Sequence, residues 1–577
     1  MMMTMLLATV THWAVPPMSD VMRLPDAEPT DGKKGGVVRI VAAHDEYEPG
    51  SFVVRSDTDL GKVKLEIGEL KSGTGMLFPK DDLDLKVVKV WYQNGNGWFS
   101  YFGDTGGFKL CPELLLNDED LIRVDTAKKA NYARLTAADG KVSERWLNPP
   151  AKMDKRPSTM SYRSFNEFLP MRADFADAKT LQPVALDKGV AKQFFLTAHV
   201  RNGTPAGTYR GTIQLKNSNN PKTQNLASIP VEIKVLDFAL PKPKAYGDPE
   251  MDFWVCFYNY ITIGYCQVYN GGDRELAKRQ FEAIMRNKAE HGQNIHWFRY
   301  GVGPGSASIL DTKPGGGQEE FLFQVEAMRK AGMITKPLVG WVCGSSKADA
   351  DMLDRLVGHH DAYLAYGDEP SIPNLTTRHR AAEKAGQANG FKYILACGPH
   401  AFAKNGHLLD WHNSSEAPEA DVLPREWNAL GCGKRIAWYA AQHVGAEDPA
   451  FARRQNGLCA WLSGYNALCN YAHHLGPYND DTTTYKPMCF FYGVYDGVLD
   501  TLQWEGFREG IDDIRYATLM CRLARQAEQS DDIEIRRLGM KALAYFARFD
   551  RTGADLNEAR LEMCRFIVDL RAAMGIR

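Results

Sequence analysis

Two carboxylates stand side by side at Asp368 and Glu369, within "AYLAYGDEPSIPNL" (residues 362–375). An apolar, aromatic-rich run leads into Gly367, and Pro370 follows the pair and bars any regular continuation. Adjacent side chains on a regular strand point to opposite faces. The flanking Gly and Pro favour a bend, which lets both carboxylates reach one cavity. The ordinary alternative is a helix N-cap, where acidic residues satisfy free N–H groups. In one pocket the two would not titrate alike, because the charge of one disfavours ionisation of the other. One then stays anionic while the other keeps a proton and can act as a general acid. Glycosidic-bond cleavage needs such a pair. The usual retaining arrangement sets two carboxylates about 5–5.5 Å apart across the bond, which sequence neighbours do not easily do. They suit a scheme in which the substrate's own 2-acetamido oxygen attacks the anomeric carbon. One carboxylate orients the acetamido N–H, and the other protonates the leaving oxygen.

The elements around the pair fit that role. From about Gly36 to Leu240 the hydrophobic period is mostly two, as in "KVKLEI", "KQFFLTAHV" and "YRGTIQLK", with turn clusters such as "KNSNNPK" between. Many short strands punctuated by turns predict a β-sandwich over 36–240. "LPKPKAYGDP" (240–249) is rich in Pro and Gly and reads as a linker, assigned to 241–250. Beyond it, short apolar runs alternate with amphipathic helical stretches. The runs are "DFWVCFY", "NIHWFRY", "PLVGWVC", "YLAYGDEP", "KYILACG", a poor one near "ADVLP", "RIAWYAA" and "ALCNYAHH". Eight such repeats predict a (β/α)8 barrel over 251–516, with Asp368 and Glu369 at the carboxyl end of its fourth strand, where barrel chemistry is built. Residues 517–577 carry apolar positions at 3- and 4-residue spacings and read as C-terminal helices. The predicted fold class is therefore multidomain α and β, a sandwich followed by a TIM-type barrel with a helical extension.

Composition excludes other classes. The 577 residues carry 69 basic and 71 acidic side chains, a formal net charge of −2, which gives no electrostatic case for nucleic acid. No segment approaches the ~20 apolar residues of a membrane span. Eleven Cys fall in no CxxC pair, and HExxH, GK[ST] and GxSxG motifs are absent. The His359-His360 and His473-His474 doublets are poor metal sites, so no metal or cofactor is expected. "GPGSAS" and "KPGGGQ" read as loops over the barrel mouth. Residues 1–35, opening with "MMMTMLLATVTHWAVPPMSD", have an apolar patch without a basic start. A truncated export signal would make the protein periplasmic or secreted; otherwise it is cytoplasmic.

The sequence resembles glycoside hydrolase family 123, the β-N-acetylgalactosaminidase family. The likeness runs from about Val37 to Tyr516. It is carried in order by "DEYEPGSFVVRS" (45–56), "PAGTYRGTIQL" (205–215), "MRNKAEHGQN" (285–294), "YGDEP" (366–370), "GLCAWLSGYNALCNYA" (457–472) and "LQWEGFREGIDDIRY" (502–516). The resemblance implies retaining hydrolysis with acetamido participation. Asp368 would orient the acetamido group, and Glu369 would serve as acid and then base. The implied substrate is a glycan or glycoconjugate bearing a terminal β-linked N-acetylhexosamine.

Other residues could line such a site. Trp438 and Tyr439 end a predicted strand and offer a stacking face and a hydroxyl. Trp461 and Tyr471 offer the same, and the mechanism requires a Tyr on the acetamido carbonyl oxygen. For each of these, core packing is the ordinary role. Trp504, Glu505 and Arg508 stand at the last barrel junction; at i, i+3 spacing, Glu505 and Arg508 would ordinarily form an ion pair. Two alternatives stay open: a glycosidase for a sugar without the acetamido group, with Glu505 as direct nucleophile, and a non-catalytic carbohydrate-binding protein.

Overall fold

The computed structural model describes residues 9–94, 108–137, 139–147, 175–218, 225–270, 272–300, 308–365, 386–397, 409–429, 435–439, 448–473, 490–495 and 497–576. The chain divides into two compact units. The first comprises Met1–Leu240, Gly445–Phe451 and Gly476–Gly506; the second comprises Pro241–Val444, Ala452–Leu475 and Phe507–Arg577.

Among the described residues, the first unit is built on two six-stranded sheets, one three-stranded sheet and a two-stranded one. One large sheet centres on Glu46–Ser56, paired antiparallel with Val10–Val15 on one side and Ala191–Val200 on the other. The second centres on Gly207–Asn217, paired antiparallel with Asn225–Ala239 and Lys62–Ile67. Gly50 of the first sheet sits against Val38 and Ile40 of the second, and a Cβ there would lie 2.7 Å from a Val38 methyl. Val10–Val15 is the edge-side partner of Glu46–Ser56 in the first sheet. Its Trp13 and Val15 are buried on one face, which Thr11 shares, and His12 points to the other face.

The second unit holds eight parallel strands: β1 (Trp254–Asn259), β2 (Ile295–Arg299), β3 (Ile334–Trp341), β4 (Ala362–Ala365), β5 (Lys392–Cys397), β6 (Trp411–Ser414), β7 (Arg435–Trp438) and β8 (Ala467–His473). They form a nearly closed barrel in the order β1-β8-β7-β6-β5-β4-β3-β2. Asn294 spans the seam between β1 and β2. Its Oδ1 accepts from the Val255 N–H at 2.8 Å, and its Nδ2 donates to the Phe253 carbonyl at 3.0 Å.

One expected strand is corrected. β6 is "WHNS", and "ADVLP" instead enters the helix Val422–Ala429. Pro424 sits in that helix's first turn, where its missing N–H costs nothing. The helix Arg274–Glu290 follows β1 and is capped by Asp273, which accepts from the Glu275 and Leu276 N–H groups. The helix Lys347–Val357 follows β3, with a capping box at Ser346 and left-handed Gly358 ending it.

The C-terminal helix Leu556–Ala573 is locked to the helix Leu502–Glu528 by a buried ionic cluster. Asp513 accepts from Arg453 Nε and Arg560 Nε, each at 2.7 Å, and Arg560 Nη1 donates to Glu509 at 2.6 Å. Burial alone would raise the Asp513 pKa. The two guanidinium groups outweigh it and hold the carboxyl below its ordinary value. Among the described residues no helix is long and apolar enough to cross a membrane.

Candidate active site

The barrel's two ends differ in chemistry. Its amino-terminal end is plugged by Trp254, Tyr363 and Trp411, whose rings meet at 5.4–5.8 Å between centroids. Arg435 lies over the Trp254 ring at 3.6 Å, and burial pushes its guanidinium down to about 10. Its Nη1 donates to the Asp252 carbonyl.

The carboxyl-terminal end is lined by hydroxyls and partly buried aromatics. Strand alternation selects them. Trp254, Cys256 and Tyr258 of β1 point inward, as do Trp297 of β2, Val339 of β3, Ala437 beside Tyr439 on β7, and Cys469 of β8. The next residues of matching parity form the mouth: Tyr260, Arg299, Trp341, Tyr439 and Tyr471, over a floor of Tyr258. Tyr258 packs on Trp297 at 4.3 Å and on Tyr439 at 5.4 Å, and its hydroxyl accepts from Asn413 Nδ2 at 3.1 Å. The Tyr260 and Tyr471 hydroxyls are hydrogen-bonded at 3.0 Å. The Arg299 guanidinium lies over the Tyr260 ring at 4.2 Å. Gly340 lets β3 approach β2 here: its φ is +113°, and a Cβ would fall 2.6 Å from the Phe298 carbonyl oxygen.

Support for the mouth comes from outside the barrel wall. Lys288 of the helix Arg274–Glu290 is fully buried and donates to Asn259 Oδ1 at 2.9 Å, and Asn259 Nδ2 donates to the Ile261 carbonyl at 2.7 Å. This fixes the turn that carries Tyr260. Burial pushes the Lys288 ammonium down to about 7, with the Cys256 and Cys266 thiols opposing.

The candidates named from sequence separate by position. Asp368 and Glu369 lie outside the described residues; β4 ends at Ala365, three positions before the pair. Tyr439 and Tyr471 are brought together at the mouth, both around Tyr258. Trp438 is on the other side of β7 from the barrel interior and is 1% exposed. Trp461 is at the amino-terminal end, where its Nε1 donates to the Lys244 carbonyl at 2.7 Å and its ring packs on Tyr246 and Phe546. It precedes β8 rather than following it, which explains the placement. Trp504 and Glu505 belong to the first unit, where Trp504 packs on Phe490 and Phe491. Glu505 is 3% exposed and acts with Asp84 and Asp500 on Lys86; burial would lower that ammonium's pKa, yet the three carboxylates raise it. Arg508 is grouped with the second unit and is 4% exposed. Sequence reasoning passed over Tyr258, Tyr260, Arg299, Trp341 and Asn413. Inward parity at the ends of strands already recognised would have found all but Asn413, whose strand was missed.

No family model matches the chain, and no curated protein matches it significantly. Its fold is similar to that of a solved family 123 glycoside hydrolase from Clostridium perfringens, described for glycolipid glycan hydrolysis. The overlay covers 96% of this chain and 100% of that one, at TM-score 0.61 and 11% identity. At that identity the likeness establishes shared architecture. A family 2 glycosyl hydrolase from Bacteroides cellulosilyticus overlays with TM-score 0.24 at 10% identity, covering 75% of this chain and 44% of that one. A family 5 glycoside hydrolase from Bacteroides vulgatus overlays with TM-score 0.28 at 12% identity, covering 48% and 69%. Neither of these two carries weight.

Proposed function

We propose that the protein is a retaining glycoside hydrolase that removes terminal β-linked N-acetylhexosamine, N-acetylgalactosamine foremost, with participation of the substrate's 2-acetamido group. The observation that carries this reading is the barrel mouth. Four Tyr, Trp341 and Arg299 gather at the carboxyl ends of the strands, and β4 ends at Ala365, three positions before Asp368 in the sequence. Flat aromatic faces beside hydroxyl and amide donors suit a sugar, which offers C–H faces and polar edges. The end-to-end likeness to a family 123 glycoside hydrolase supports the same reading. In the first unit, we take the two large sheets as the two layers of a β-sandwich.

In this scheme Asp368 holds the acetamido N–H while its carbonyl oxygen attacks the anomeric carbon. Glu369 gives its proton to the departing glycosidic oxygen. A bicyclic oxazoline-type intermediate results. Glu369, now anionic, takes a proton from water as the water opens that ring, and the anomeric configuration is retained. Tyr471 is our candidate donor to the acetamido carbonyl oxygen. Its hydroxyl is already oriented by Tyr260, a preorganised donor where charge develops. Tyr439 and Trp341 wall the sugar.

An N-acetylgalactosamine thiazoline, which mimics the bicyclic intermediate, tests the scheme. Competitive inhibition well below the KM of an aryl substrate supports acetamido participation. Turnover that the thiazoline leaves untouched refutes it and favours a direct carboxylate nucleophile.

A further inference from the structure

Among the described mouth residues, Arg299 is the one whose charge the proposed hydrolysis leaves unused. It ends β2 with the parity of Trp297, on the inner side of the barrel, and it is partly buried. Its guanidinium carbon lies over the Tyr260 ring, 4.2 Å from the centroid. Among the described residues, no carboxylate stands within ion-pair distance of it and no side-chain hydrogen bond engages its N–H groups. Elsewhere in this unit, the buried Arg453 and Arg560 share Asp513, and Arg560 also takes Glu509. Stacking orders a guanidinium while leaving its edge of N–H donors open, and that edge matches a planar carboxylate or a sulfate oxygen pair. A neutral sugar gives such a fork no charged partner, and a partly desolvated cation gains most from an anion.

We propose that Arg299, held over the Tyr260 ring, forms a subsite for a negatively charged substituent, a carboxylate or a sulfate, on the glycan that enters this barrel. The proposal rests on the glycan reading of the mouth and adds the charge class of its ligand. Tyr260 links the two functions, since its ring carries Arg299 and its hydroxyl orients Tyr471.

Titration calorimetry on the full chain in 50 mM NaCl tests it with two matched pairs: N-acetylgalactosamine 6-sulfate against N-acetylgalactosamine, and glucuronic acid against glucose. Wild type should bind one anionic member about tenfold tighter than its neutral partner, the scale of a charge-assisted contact. Which pair shows the preference identifies sulfate or carboxylate. Arg299→Gln should bring that ratio below about threefold, and Arg299→Lys should keep part of it. Because a variant can fail to fold, wild type alone supplies a second reading. Raising NaCl to 500 mM should shrink the anionic preference several-fold and leave the neutral sugars unaffected. Neutral sugars bound as tightly as their anionic partners, or a preference that survives Arg299→Gln, overturns the subsite and leaves the hydrolase reading standing. Binding of none of the four overturns both.

Discussion

The Tyr471 hydroxyl, at the end of the last barrel strand, lies 3.0 Å from the Tyr260 hydroxyl, just past the end of the first. The bond crosses the mouth between neighbouring strands and fixes both rings. If Tyr471 donates to the acetamido oxygen, Tyr471→Phe should lower kcat on an aryl N-acetylhexosaminide by on the order of 10²-fold, as for other lost transition-state donors. Tyr260→Phe removes only the orienting partner and should cost about fivefold, the scale of one neutral hydrogen bond. Steady-state kinetics on both variants checks the ranking; equal losses would contradict it.

Trp438 and Tyr439 are adjacent yet serve different ends. Tyr439 packs on Tyr258 at the mouth, and Trp438 is buried on the opposite side of β7. Tyr439→Ala should raise KM or lower kcat with a modest loss of stability. Trp438→Ala should destabilise the barrel by about 3–5 kcal/mol, as large core truncations do. Thermal denaturation beside kinetics separates the two, and a stable but inactive Trp438→Ala would contradict the assignment.

How far the sequence was legible follows from such pairs. Seven of the eight strands announce themselves as apolar runs, because a parallel strand covered on both faces needs them. β6 does not, because three of its four residues are His412, Asn413 and Ser414. These polar groups are buried and paid for by contacts invisible in one dimension: Asn413 on the Tyr258 hydroxyl, His412 beside Trp427. At the mouth, aromatic type was legible and facing was not. Trp438 and Trp461 satisfy composition as well as Tyr439 and Tyr471 do, but strand parity and the end of the barrel decide their roles. Arg299 carried no motif, and its significance comes from Tyr260, which is distant in sequence.

The Asp513 cluster predicts an acid response. Arg453 and Arg560 hold its folded pKa below the ordinary value. Its stabilisation is therefore fully present above the unfolded value of about 3.9 and is lost as pH falls through the lowered folded value. Asp513→Asn leaves two buried cations without their shared anion and should cost about 3–5 kcal/mol at neutral pH. Melting curves at pH 7 should show the loss. The difference from wild type should narrow as pH falls below 4.

Lys288 predicts a response on the alkaline side. Its folded pKa is about 7 against an ordinary 10.5. Between these values the unfolded chain holds a proton that the folded chain does not. Stability therefore rises with pH through that window, is fully present above about 10.5, and is lost as pH falls through about 7. Lys288→Met should abolish this term, so the melting temperature of wild type relative to the variant should climb from pH 7 to pH 10. A flat difference would contradict burial of an uncharged amine.

The central claim is that Asp368 and Glu369 divide the work of glycoside hydrolysis. Release of nitrophenol from the β-N-acetylgalactosaminide and the β-N-acetylglucosaminide, by wild type, Asp368→Asn and Glu369→Gln in parallel, tests it most directly. The account predicts turnover by wild type, faster on the galactosaminide, and losses of roughly 10²-fold or more in each variant. Full activity in either variant would contradict it.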